Sequence, residues 1–274
     1  MKIGLVNPGA MGATIGSSLV RSGHEVVWVA GGRSAATVER AEEAGLTSLG
    51  SMAELAAAAE GVVSVCPPHA ARAVAESVLA AGFTGTYVDA NAVSPGTAAE
   101  VAALVGPGYV EGGIVGPPAV RGGTTRLYLS GAGAQAVCSW FAEPVLGVSV
   151  VDHRVSSASA LKMCYAAYTK GSSALLLAVR ALAEAEGVAE ALLAEWSISQ
   201  PELARRAEGA ARGTAAKAWR FVGEMEEIAA TFEAQGLPGG FHQAAAEAYA
   251  RMSGLKDLPD ADLGAVLAAL LAER

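Results

Sequence analysis

From Met1 to about residue 152 the chain alternates short β-rich runs with alanine-rich stretches, and after His153 the β-rich runs stop. Such alternation builds a parallel sheet covered by helices, because each strand returns parallel to the last only through a crossover. The sequence predicts strands over 2–6, 25–29, 61–66, 87–90, 109–115, 126–130 and 148–151, with helices over 10–22, 35–44, 52–59, 70–80, 98–105 and 134–141 between them. Beyond His153 everything reads as helix, broken at Gly187, at Gly213, at Leu237 to Gly240 and at Leu258-Pro259. The first of these helices, Ser157 to Glu186, would be roughly 45 Å long at the usual rise per residue. Two domains are expected, an α/β domain over 1–152 and an all-helical one over 153–274.

The run Ile3-Gly4-Leu5-Val6 is followed by Asn7-Pro8-Gly9-Ala10-Met11-Gly12 and then by the first helix. A glycine-rich turn between strand and helix is the pyrophosphate-binding turn of a Rossmann-type, doubly wound sheet. Gly9 lets backbone approach the phosphates, the helix start at Ala10 and Met11 supplies unpaired N–H groups, and Gly12 permits close helix–strand packing. Asn7 and Pro8 stand where glycine usually begins the turn. Because a residue before proline is pushed to extended angles, Asn7 is expected to continue the strand, with Pro8 fixing the next φ. The competing reading is a turn that merely needs small residues.

In NAD-binding sheets a carboxylate about 20 positions on binds the ribose hydroxyl. Here the second strand ends Ala30-Gly31-Gly32-Arg33-Ser34, with no carboxylate before Glu39. Arg33 and Ser34 suit a 2′-phosphate instead, which points to NADP(H); a solvated arginine is the alternative. Cys66-Pro67-Pro68-His69 and Asn91-Ala92-Val93-Ser94-Pro95 leave later strands at the same edge, and Cys66, Pro67, Pro68 and Asn91 are candidate neighbours of the nicotinamide. Ser94 reads equally as a helix N-cap, and His69 as a solvated helix-start residue.

On the long helix Lys162, Tyr165, Thr169 and Ser173 fall on one face within an apolar segment, which suggests a lined cavity or, alternatively, plain exposure. A lysine there can protonate the oxygen that gains charge when a carbonyl is reduced.

Composition removes other classes. The formal net charge is −8 and the Lys and Arg residues are scattered, so nucleic acid is not an expected partner. Cys66, Cys138 and Cys164 have neither disulfide-framework nor zinc spacing, so no metal is expected and a reducing cytoplasm fits. No apolar run reaches the ~18 residues of a membrane span. A soluble enzyme with a small-molecule substrate is expected, dimeric through its helical half.

The segments GLVNPGAMG, VDANAVSP, VEGGIVGPP with GGTTRLYLSG, and SASALKMCYAAYTKG resemble the nucleotide loop, nicotinamide-side turn, substrate loop and catalytic helix of the β-hydroxyacid dehydrogenases, relatives of the imine reductases. The segment WRFVGEMEEIAATFEAQGLPGGFH resembles the C-terminal domain of a phosphogluconate-dehydrogenase-like branch. The resemblance implies that Lys162 is the catalytic lysine, that Gly9, Met11 and Gly12 hold the cofactor, and that Val115, Gly116 and Pro117 occupy the substrate loop. Several positions depart from the family pattern. Val115 replaces a serine, Gly116 and Pro117 stand for two glycines, Tyr165 and Ala166 replace asparagines, and a second lysine is replaced near Glu226. Tyr165 then reads either as a hydrogen-bond donor or as a core aromatic. Three functions remain open: NADPH-linked reduction of a small carbonyl compound or oxidation of the matching alcohol, reduction of a C=N bond, and a nucleotide-binding protein with a vestigial site.

Overall fold

The computed structural model describes residues 1–258 and 260–272, so the break expected at Pro259 lies outside the described residues. The chain divides into two compact units, Met1–Met163 and Cys164–Arg274. The first contains eight strands: β1 (Lys2–Val6), β2 (Glu25–Val29), β3 (Thr47–Leu49), β4 (Gly61–Ser64), β5 (Thr86–Asp89), β6 (Tyr109–Val115), β7 (Thr125–Ser130) and β8 (Leu146–Asp152). Its helices are α1 (Ala10–Arg21), α2 (Ala35–Glu43), α3 (Met52–Ala58), α4 (Ala71–Ala80), α5 (Pro95–Val105), α6 (Ala134–Cys138) and the start of α7 (Ser157–Ala185).

The strands form one sheet in the order β3-β2-β1-β4-β5-β6-β7-β8. All neighbours are parallel except β6 and β7. The sequence reading did not include β3. It is a three-residue edge strand whose Thr47 and Ser48 are exposed, so it has no apolar run to announce it. The central strands are covered on both faces. Ile3, Leu5, Val26 and Trp28 join a core with Ile15 and Leu19 of α1, whereas Val6, Val27 and Val62 join Leu55 of α3 and Val78 of α4 on the other side. Since β2 and β4 flank β1, the direction of winding reverses there, and the crevice at such a reversal lies beyond the C-terminal ends of the strands.

The second unit continues α7 and adds α8 (Ala189–Ser199), α9 (Leu203–Thr214), α10 (Ala218–Ala234), α11 (Gly240–Arg251) and α12 (Leu263–Leu271). The break expected at Gly213 is not a loop: α9 runs through it, and a 3-10 turn at Ala215–Lys217 leads directly into α10. Met225, Ile228, Ala245 and Ala246 are buried on α10 and α11, and Phe221 meets Tyr249 edge-on at 5.3 Å. Among the described residues no helix is long and apolar enough to cross a membrane.

Candidate active site

The turn after β1 differs from its sequence expectation at Asn7. Its φ is +65°, left-handed rather than extended. Asparagine is one of the few non-glycine residues that visit this region readily, and the turn demands it. The Asn7 carbonyl accepts a hydrogen bond from Gly9 N at 2.8 Å. The same carbonyl faces α1 so closely that a Cβ on Gly12 would lie 2.4 Å from it. The pre-proline preference yields to this double constraint, and Asn7 takes the conformation that the usual first glycine would supply. Gly9 is the N-cap of α1; no side chain caps it and no acidic residue occupies the first turn, so the N-terminal amides of Ala10 and Met11 are open to an anion. That geometry fits a dinucleotide pyrophosphate. Thr14 secures the turn from α1: its Oγ1 donates to Met11 O at 2.9 Å and accepts from Ala119 N at 3.0 Å.

Beyond β2, Arg33 lines a small cleft with Asn7, Val29 and Met52, beside the turn after β1. Ser34 is exposed at the start of α2, with its Oγ 3.0 Å from Thr37 Oγ1. Neither residue has a carboxylate neighbour before Glu39.

On the other side of the reversal, Cys66 N donates to Asn91 Oδ1, and Asn91 Nδ2 donates to Ser64 Oγ at 3.3 Å. Asn91 is 3% exposed. Its side chain thus shapes the Cys66-Pro67-Pro68 turn. Burial pushes the Cys66 thiol up to about 11, against the weaker pull of its hydrogen bond with Ser64, so it is a neutral thiol at physiological pH. Ser94 is an N-cap, accepting from Thr97 N at 3.2 Å. His69 is exposed in a 3-10 turn.

Lys162 sits in the second turn of α7, over β6. A Cβ on Gly113 would meet Ala158 O at 2.6 Å and Lys162 Cβ at 3.2 Å. Two residues earlier on the same strand face, Glu111 Oε2 accepts from Ala158 N at 3.1 Å and from Ser130 Oγ at 2.7 Å. β6 then ends at Val115, which is 2% exposed and offers no polar group where the resemblance places a serine. Gly116 and Pro117 follow, with Pro117 O accepting from Thr125 Oγ1 at 2.6 Å.

In the helical unit Tyr165 is 46% exposed, which removes its reading as a core aromatic in the chain as described. Thr169 Oγ1 donates back to Tyr165 O at 3.1 Å and Ser173 Oγ to Thr169 O at 2.9 Å. Both residues line a cavity of about 440 Å³ with Lys170, Arg206, Phe221 and Tyr249. Lys170 is paired with Glu224 and lies 4.2 Å from the centre of the Phe221 ring. Sequence reasoning missed this pair and also missed Asp89, Glu111 and Ser130. The signal for Glu111 was present: it is a carboxylate inside the otherwise uncharged strand Tyr109–Val115, every residue of which is buried.

A doubly wound sheet with an anion-ready turn at its winding reversal is the arrangement on which dinucleotide sites are built, and here a lysine is seated over β6. The chain matches the family models described as "NADP oxidoreductase coenzyme F420-dependent" over residues 2–93 and "Domain of unknown function (DUF1932)" over residues 183–252. It is 26% identical to the conserved protein MTH1747, whose structure resembles 3-hydroxyacid dehydrogenases; the match covers 95% of this chain and 100% of that one, with a TM-score of 0.67. It shares its fold with Mycobacterium tuberculosis 3-hydroxyisobutyrate dehydrogenase, at 21% identity, 99% coverage of both chains and a TM-score of 0.71. It also shares it with the Aspergillus terreus reductive aminase solved with NADPH and ethyl levulinate, at 22% identity over 94% of this chain and 98% of that one, with a TM-score of 0.57. The chain therefore has the fold of the β-hydroxyacid dehydrogenases and imine reductases.

Proposed function

We propose that the protein is an NADP(H)-dependent oxidoreductase acting on a small carbonyl compound or its alcohol, with Lys162 as the acid and base. The seating of Lys162 over Gly113 carries this reading. It sets the lysine over the strand that leads to Gly116 and Pro117, at the sheet edge where the Asn7–Gly12 turn opens.

The bound cofactor would supply a hydride to the carbonyl carbon, or accept it from the alcohol carbon. As the C–H bond forms, the C=O π pair moves onto oxygen and Lys162 donates a proton there; in oxidation the neutral amine takes the proton back. The turn residues Pro8 to Gly12 would hold the pyrophosphate, and Arg33 with Ser34 the 2′-phosphate. Cys66 to Pro68 would flank the nicotinamide. Val115 offers no hydrogen bond to a substrate, which favours a substrate less dependent on polar anchoring than a small hydroxyacid. Tyr165, three residues after Lys162 on α7, is the candidate second donor, and Thr169 a candidate substrate contact.

A homodimer through the helical half accompanies this reading. Tyr168, Leu175 and Leu182 recur every seven residues along α7 and are 70%, 65% and 60% exposed, an apolar seam of the kind helices bury against a partner.

The deciding experiment pairs NADPH binding, followed by fluorescence, with turnover on a panel of carbonyl and imine substrates. Lys162→Met should keep NADPH affinity and lose turnover by about 10²-fold or more. Unchanged turnover would overturn the role of Lys162. Selective turnover of imines would move the reading to C=N reduction, and NADPH binding without turnover of either class would leave a nucleotide-binding protein.

A further inference from the structure

A polar row crosses the middle of the sheet. Ser64 on β4 is in register with Asp89 on β5, Asp89 with Glu111 on β6, and Glu111 with Ser130 on β7. Residues in register on neighbouring strands share a face, so the four side chains stand in line. All are buried, with both carboxyl groups 1% exposed. Among the described residues no cation pairs with either carboxyl.

Each carboxyl has one satisfied oxygen. Asn91 N donates to Asp89 Oδ1 at 3.2 Å, while Ser130 Oγ and Ala158 N both donate to Glu111 Oε2. Asp89 Oδ2 and Glu111 Oε1 are buried without a partner. So are the hydroxyls of Tyr87 and Tyr109, which precede the two acids by two residues on the same face and are themselves in register. Two adjacent carboxylates in such surroundings cannot both stay ionised cheaply, because each loses its hydration and repels the other. One proton removes a charge and converts an unpartnered oxygen into a donor. Glu111 Oε2 receives two donors, one of them an amide at the positive end of α7, whereas Asp89 Oδ1 receives the single amide of Asn91.

Both ends of the row are tied to the candidate active site. Ala158, bonded to Glu111, lies one turn before Lys162 on α7, and Gly113 beneath Lys162 lies two residues beyond Glu111 on β6. At the other end Asn91 links Asp89 to Cys66 N and Ser64 Oγ. We propose that Asp89 and Glu111 share one proton and act as a positioning pair, fixing Lys162 and the Cys66–Pro68 turn in a common geometry. Burial first, and the neighbouring Glu111 charge in addition, push Asp89 up to about 7, in line with the proton resting there. The titratable groups facing the pair are Tyr87 and Tyr109, with Cys66 beyond Tyr87; burial raises all three, so they stay neutral beside it.

The effect on turnover rests on the oxidoreductase reading; the shared proton does not. Infrared spectra taken about one unit below the Asp89 value should show a protonated-carboxyl carbonyl band that disappears in Asp89→Asn. Absence of any such band sensitive to Asp89→Asn or Glu111→Gln would overturn the shared proton. For positioning, Glu111→Ala should leave NADPH affinity unchanged and lower kcat about tenfold or more, with Glu111→Gln, which keeps an acceptor for Ala158 N, recovering part of the loss. Asp89→Asn should remove the inflection near 7 from the kcat–pH profile. If the wild type turns over no substrate, the lysine is read directly: reductively 13C-methylated Lys162, assigned with Lys162→Arg, should shift its resonance in Glu111→Ala or, if that variant does not fold, in Glu111→Gln. An unmoved resonance, or full kcat in a folded Glu111→Ala protein, would overturn the positioning role.

Discussion

Gly113 lies directly beneath Lys162: a methyl group added to it would stand 3.2 Å from the lysine Cβ and 2.6 Å from the carbonyl oxygen of Ala158. The second of these neighbours is backbone and cannot swing aside. Gly113→Ala must therefore lift the first turn of α7 off β6. The expected cost is about 1–3 kcal/mol of stability, as for other overpacked cores, together with a fall in kcat larger than the change in NADPH affinity. Denaturant melts and steady-state kinetics on the same preparation check both.

The left-handed conformation of Asn7 ranks substitutions in an unusual order. Asn7→Gly should be tolerated and keep NADPH binding. Asn7→Ala should be less stable than Asn7→Gly, because alanine lacks the short polar side chain that lets asparagine visit φ +65°, and a β-branched Asn7→Val should be less stable still. Thermal melts with and without NADPH would rank the three.

Arg33 shares its cleft with Asn7. Arg33→Ala should weaken NADPH by about 1.5–3 kcal/mol, the range of a hydrogen bond to a charged group, while leaving NADH nearly unchanged. Titration of both nucleotides by fluorescence reads the difference, and equal losses would remove the 2′-phosphate role.

Asp89 makes stability depend on pH. Burial is the main reason its carboxyl is raised from 3.8 to about 7, so between these values the folded chain binds a proton that the unfolded chain has released. Its contribution is complete below the unfolded value and is lost as pH rises through the folded one. Melting temperature should decline between roughly pH 4 and 8 by more in the wild type than in Asp89→Asn, whose slope lacks this component.

The strands that position the site were legible because parallel strands buried on both faces read as continuous apolar runs, as in Val26-Val27-Trp28. β3 was not, being short and exposed. The stripe that Lys162 begins and the family pattern around it single the lysine out in the sequence, but its seat was not legible, because Gly113 is distant in sequence and meets α7 only once β6 is placed. The polar row was hidden for the same reason: Asp89 and Glu111 become neighbours only through the register of β5 with β6. Lys170 and Glu224, 54 residues apart on α7 and α10, likewise carry no local signal of their pairing. At Asn7 a local rule was applied correctly and still failed, because the Gly9 N–H and the packing of Gly12 outweighed the preference imposed by Pro8.

That outcome alters what the glycine fingerprint encodes. Its first letter records handedness, a demand for one left-handed residue whose carbonyl can be held between an amide and a helix. Any residue able to pay that conformational toll can stand there, so the motif is a short sequence of torsion angles for which glycine is only the most frequent spelling. Chains that spell it with asparagine fall outside a search for letters while remaining inside the geometry.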